Sequence, residues 1–201
     1  MSLIYPTSLC FVVAVLCLHY ASVVEWVLHL RVMHMPVGKL TYPYKAHALT
    51  HHRIFRADNS YHLKDPKDKE KVRMAWWNGP VLVVIAAIPW DIVAAVLWMF
   101  GWQLECWIVC IVPHMVLACY YGTYEYLHWC MHWSKKRRLE FSKFFRFLNG
   151  HHVLHHRCWN KNLNVVYPFA DWLFGTLLIR SPTRFAQVRG PSVPDVQPLR
   201  I

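Results

Sequence analysis

At 201 residues the chain is long enough for one domain, and no internal repeat or shift in composition divides it. With 56% hydrophobic residues, 11 Trp and a positive mean hydropathy, it departs from the make-up of an ordinary soluble protein. The net charge of +11 would suit nucleic acid or an anionic membrane surface, and apolar segments of spanning length argue against nucleic acid.

Three such segments follow one another. The first, 9–29, holds a single charge, Glu25, near its end. Residues 1–8 carry no Lys or Arg and no small-residue cleavage site is evident, so the segment is expected to be retained as a span rather than removed as a signal peptide. The second, 80–100, contains only Asp91. The third, 104–127, contains only Glu105 and Glu125, one near each end. About 20 residues at a rise of 1.5 Å cross a hydrocarbon core of roughly 30 Å. Gly101, Trp102 and Gln103 are the whole connection between the second and third, which predicts a tight hairpin.

That hairpin would bring Asp91 and His114 to nearly the same depth. A mid-membrane carboxylate costs several kcal/mol, about 2.5–3.5 on insertion scales, so His114 is its expected partner. The pair would either fix helix packing or line a lipid cavity. Beyond the third segment, Leu139, Phe141, Phe144, Phe145 and Leu148 predict a short amphipathic helix over 139–148 at the interface.

The basic residues orient the spans. Ten of the 22 Lys and Arg lie in 31–77 and the other 12 in 133–201, with none in 1–30 or 78–132. The positive-inside rule places both basic segments in the cytoplasm and the N-terminus on the opposite side. The expected fold is all-α: a single domain over 1–201, with three transmembrane helices and a cytoplasmic, histidine-rich helical cap. The seven cysteines include no C-x-x-C pair and are expected to act as small apolar residues.

Most of the 14 histidines fall in knots, each expected at the cytoplasmic end of a span or in a cytoplasmic segment. His29 and His34 close the first span before Pro36 stops its helix. "HALTHH" presents His47 and His51 four apart, with His52 beside them. His128 and His132 repeat that spacing where the third span emerges. "GHHVLHHRCWN" sets His152, His155 and His156 at i, i+3, i+4 on one helical face. Spaced imidazoles of this kind present neutral nitrogen ligands to a transition metal, and about ten of them suit two ions with four or five each. A lone histidine is more often a hydrogen-bonded packing residue, the expectation for His19, His62 and His114. All-nitrogen ligation does not separate iron from zinc. A metal transporter would want ligands through the bilayer centre, and a haem protein would want histidines facing each other across spans. The knots suit neither.

The series H-x4-H, H-x3-HH, H-x3-H and HH-x2-HH along a polytopic chain resembles the fatty acid hydroxylase/sterol desaturase superfamily. "HHVLHHRCWNKNLNVVYPFADWLFGT" (151–176) is similar to that family's C-terminal signature, and the likeness runs over 29–176. It implies that His29, His34, His47, His51, His52, His128, His132, His152, His155 and His156 are metal ligands, with His151 competing with His152 for the first slot of the last box. It further implies two iron ions, replaceable by zinc in purified protein, with O2 as co-substrate and a lipid as substrate. The implied activity is hydroxylation of a fatty acyl or related lipid C–H bond; desaturation, or oxidation of a sterol or carotenoid, is the alternative. Family members commonly have four spans, and some carry a fused cytochrome b5 domain. This chain has three and none, so electrons are expected from a separate cytochrome b5 or ferredoxin-type donor. Glu125 stands three residues before His128, the Glu-x-x-His spacing of bundle di-iron sites, and is expected to support a ligand imidazole or to bind metal itself. Asn164 and Asp171 are further supporting candidates.

Overall fold

The computed structural model describes residues 4–179. Among these the fold is all-α, and the only strand-like feature is an isolated bridge between Val37 and Leu40. Three helices are long and apolar enough to cross a membrane. The first, α1 (Ile4–Val27), continues without a break as a π-helical turn over Leu28–Met33. α4 (Asn78–Met99) and α5 (Gln103–His132) form the hairpin. At 1.5 Å per residue the 22 residues of α4 extend about 33 Å.

The reversal between α4 and α5 depends on Gly101, whose φ of +79° lies in the left-handed region that a side chain resists. Tyr5 Oη donates to Glu105 Oε1 at 2.8 Å, tying the start of α1 to the hairpin end. α1 therefore runs parallel to α5 and antiparallel to α4. Small residues let the three backbones approach: Cys17 and Ala21 of α1 meet Ala86 and Ala87 of α4 and Leu117 and Tyr120 of α5. Nearer the hairpin, Val13, Ala94 and Val109 pack together. The outward faces remain apolar and exposed, as at Phe11, Ile85, Ile92 and Ile111, which suits contact with acyl chains.

The opposite end of the bundle carries a cap of short elements: α2 (Tyr42–Ala46), a π-helical turn over His47–His51, α3 (His52–Ile54), α6 (Lys143–Arg157) and α7 (Phe169–Leu173). As expected, His29 and His34 close the first helix, which runs to Met33 with His34 as its cap. Two other sequence expectations change here. No single helix covers 139–148: a 3₁₀ turn (Arg138–Phe141) precedes extended Ser142, whose hydroxyl accepts from Phe145 N at 3.1 Å and starts α6. Phe145 and Leu148 are buried under α5 while Phe141, Phe144 and Phe147 are exposed, because the helix that holds the last histidines must bury one face in the cap. The cysteines are all free, but only Cys17, Cys106 and Cys130 are buried.

Candidate metal centre

The cap turns ten histidines inward, in two groups of five. His29, His34, His47, His52 and His155 form one; His51, His128, His132, His152 and His156 form the other. Within each, one ring nitrogen per residue lies within 4.8 Å of all the rest. In the first group Nε2 of His47 stands 2.9 Å from that of His29 and 3.0 Å from that of His52. His155 Nε2 stands 3.1 Å from His52 and 3.2 Å from His34. In the second, His51 Nε2 is 3.2 Å from His128 and 3.3 Å from His156. His152 Nε2 is 3.1 Å from His132 and 3.0 Å from His156.

Ten nitrogens converging through the same ring atom need a cause, and for five of them the backbone supplies it. Nδ1 of His29 bonds to the carbonyl of Leu163, His51 to Lys71, His132 to Tyr61, His155 to Lys161 and His156 to Phe55. A carbonyl only accepts, so Nδ1 carries the hydrogen and donates it, leaving Nε2 with its lone pair aimed into the group. Facing lone pairs about 3 Å apart repel unless a cation lies between them. Neighbouring ligands bonded to one ion at about 2.1 Å stand roughly 3.0 Å apart at right angles, which the observed spacings match. Burial and the neighbouring imidazoles push the pKa of His47, His52, His152, His155 and His156 well below the ordinary histidine value, with His34 down to about 2. These rings are neutral at pH 7, as metal ligands must be. His152 Nδ1 is buried with no hydrogen-bond partner among the described residues.

Local helix geometry decides the allocation. α6 offers His152, His155 and His156 on one face; His155 reaches the first group while its two neighbours reach the second. The π-helical turn over His47–His51 widens the helix so that His47, His51 and His52 all point inward.

The segment after α6 acts as a platform for the rings. Asp171 is fully buried and accepts from Leu163 N (2.9 Å), Asn164 N (2.8 Å), Thr176 Oγ1 (2.6 Å) and His151 Nε2 (3.1 Å). Burial alone would raise its pKa, but these hydrogen bonds outweigh it and hold the carboxyl below the usual range. His151 therefore stands on Asp171 and outside both groups, while its neighbour His152 lies inside one. Asn164 Nδ2 donates to Ser22 O (2.8 Å) and Glu25 Oε2 (3.1 Å), and its side-chain oxygen accepts from Asp171 N (3.0 Å).

Glu125 does not support a histidine in this arrangement. It accepts from Tyr121 Oη at 2.9 Å, facing α4, and lies outside both groups. The carboxylate that braces the platform is Glu25, which accepts from Tyr120 Oη (2.6 Å) and Val165 N (2.7 Å) as well as Asn164. Its only sequence signal is that it is the one charge of the first span. His19, His62 and His114 lie outside the two groups; His19 and His114 bond to the carbonyls of Val15 and Cys110.

A cavity of about 90 Å³ opens between α1, α4 and α5 and ends on the first group. Ala21, Val24, Leu28, Leu82, Val83, Ala86 and Leu117 make its apolar wall, and His29 and Met33 stand at its inner end. Tyr124 lines it too and stacks on His128 of the second group at 5.6 Å. Asp91 and His114 approach to 3.8 Å, as the hairpin register predicted, but do not line this cavity. Comparison with protein-family profiles, with curated proteins and with solved structures gives no match to this chain.

Proposed function

We propose that the protein is a membrane-bound, O2-dependent lipid hydroxylase in which each five-histidine group holds one iron ion. The observation that carries the reading is the cavity: a mainly apolar slot between the spans whose lining includes His29, a member of the first group. The donor set fits the group it would hold: ten neutral Nε2 atoms at ligand-to-ligand spacing, with the backbone fixing the tautomer of five. Bound iron would supply reductive activation of O2 toward an unactivated C–H bond, chemistry that no side chain in the cavity offers.

The chain's own contribution is placement and exclusion. The wall from Ala21 to Leu117 takes an acyl or similar chain out of the bilayer and keeps water from the histidines. Glu25 and Tyr120 satisfy each other, so their polar tips make no demand on an apolar guest. The Leu163 and Lys161 carbonyls hold His29 and His155 in place beside the slot. The Lys and Arg of the cap, placed in the cytoplasm by the charge rule, would receive the lipid headgroup and a separate acidic electron donor of cytochrome b5 or ferredoxin type.

The test is a single turnover. The full chain in lipid nanodiscs is loaded with iron, reduced without oxygen and exposed to ¹⁸O2, and the lipids are weighed. The expected product gains one ¹⁸O atom. Loss of two hydrogens would assign desaturation instead, and unchanged lipid would overturn the oxygenase reading.

A further inference from the structure

Far from the cap, the hairpin gathers three other metal-binding side chains. Asp91 of α4 and Cys110 and His114 of α5 each present one ligand atom within 4.8 Å of the other two. Asp91 lies 13 residues beyond Asn78, the start of α4, so about 20 Å along a helix of about 33 Å. The trio therefore sits near the middle of the membrane-spanning layer. Its side chains are not sealed in the bundle: Asp91 is 44% and His114 39% exposed on the outer face.

The three side chains already face one another. His114 Nδ1 stands 2.7 Å from the carbonyl of Cys110, one helical turn back, so Nδ1 carries the hydrogen. That leaves Nε2 as the ring atom that faces Asp91 Oδ2, across 3.8 Å. That gap is too long for a direct hydrogen bond, which closes to about 2.7–3.2 Å. Cys110 Sγ donates to the other carboxylate oxygen, Oδ1, at 3.8 Å, a long contact suited to sulfur. Donors bonded to one tetrahedral ion at about 2.0–2.3 Å stand roughly 3.3–3.6 Å apart, so the three side chains, whose ligand atoms all lie within 4.8 Å of one another, would draw together around an ion.

We propose that Asp91, Cys110 and His114 bind one divalent ion of the zinc type, with the fourth position open toward the exposed face. With a 2+ ion bound, a carboxylate, a thiolate and an imidazole ligand sum to zero charge. A neutral site removes the cost of a carboxylate at mid-depth. Binding releases the Cys110 proton to solvent. The mixed nitrogen, oxygen and sulfur donors favour zinc or cobalt, whereas the all-nitrogen groups in the cap hold no thiol.

The missing thiol makes the two kinds of site separable. Full-length protein in detergent is stripped of metal and titrated with Co2+, and the near-ultraviolet band of a thiolate bound to cobalt is followed. The expected result is a band whose limiting intensity corresponds to one thiolate-bound cobalt per chain, reached by about three equivalents because the two histidine groups in the cap also take Co2+. Cys110→Ser abolishes it, Asp91→Asn shifts the titration to weaker binding by about tenfold or more, and Cys106→Ser, one turn away, leaves it in place. Histidine substitutions in the cap also leave it in place. No band in the unaltered chain, or a band that survives Cys110→Ser or is unmoved by Asp91→Asn, would overturn the proposal.

Discussion

His47 and His51 stand four residues apart with their rings stacked at 5.1 Å, yet each belongs to a different histidine group. One widened helical turn is thus the partition between the two groups. His47→Ala should weaken binding of one iron and His51→Ala the other, each by more than the roughly 10–100-fold that loss of an outer-shell partner costs. Titration against a competing chelator would show one weakened step and one unchanged step in each variant. A single variant that weakens both steps equally would mean that the two groups act as one pool.

Gly79 has no room for a side chain. A Cβ built there would meet the ring of Tyr121 at 2.3 Å, and Tyr121 lines the cavity. Gly79→Ala is expected to cost about 1–3 kcal/mol, the range for overpacking, and to push Tyr121 into the slot. Tyr121→Ala in the same chain should restore most of that loss. Thermal unfolding of the single and double variants measures the coupling, and purely additive effects would disprove the contact.

Asp171 receives four donors on two oxygens, so Asp171→Asn must set an amide N–H against two of them, whichever way it flips. The expected cost is about 3–5 kcal/mol, as for breaking a buried charged network. Because Asp171 also seats Leu163, whose carbonyl holds His29, iron at the first group should bind about 10–100-fold more weakly. Unfolding and chelator competition read the two effects separately. His151→Ala should lower stability while leaving both iron affinities nearly intact.

Acid should act first on the cap. His47, His51, His152 and His155 are buried, with folded pKa values below the ordinary 6.5, so the unfolded chain binds the protons that the folded chain refuses. Their contribution is complete above about pH 6.5 and is lost as pH falls below it, at up to about 1.4 kcal/mol per unit for each ring. Metal-free protein should therefore hold its unfolding temperature between pH 7 and 8 and lose it steadily from about 6.5 downward. Bound metal shifts the loss to lower pH, since it too requires neutral rings. A flat profile from pH 7 to 5 would mean that the histidines are not buried neutral.

Periodicity and charge made the three spans, the hairpin and the inward histidines legible, because each is a one-dimensional pattern. Asp91 and His114 could be paired by counting residues from Trp102 alone. What the sequence hid lies in three dimensions. Glu125 has the right spacing to His128 but faces Tyr121, while Glu25, which braces the platform, is 95 residues from its partner Tyr120 and 139 from Asn164. The carbonyls of Phe55, Tyr61, Lys71, Lys161 and Leu163 orient five rings, and a backbone carbonyl has no residue-type signature. The division of His47 from His51 depends on a π turn, for which an i, i+4 rule has no term. Leu139 misled for a related reason: the apolar pattern over 139–148 spans two elements joined at Ser142.

The central claim is that each histidine group holds an ion on its Nε2 side. Anomalous scattering at the iron edge from crystals of iron-loaded protein tests it most directly. The account predicts one peak inside the group of His29, His34, His47, His52 and His155 and a second inside that of His51, His128, His132, His152 and His156, each within about 2.0–2.3 Å of Nε2 atoms. A single peak, none, or density on the Nδ1 side of the rings would contradict it.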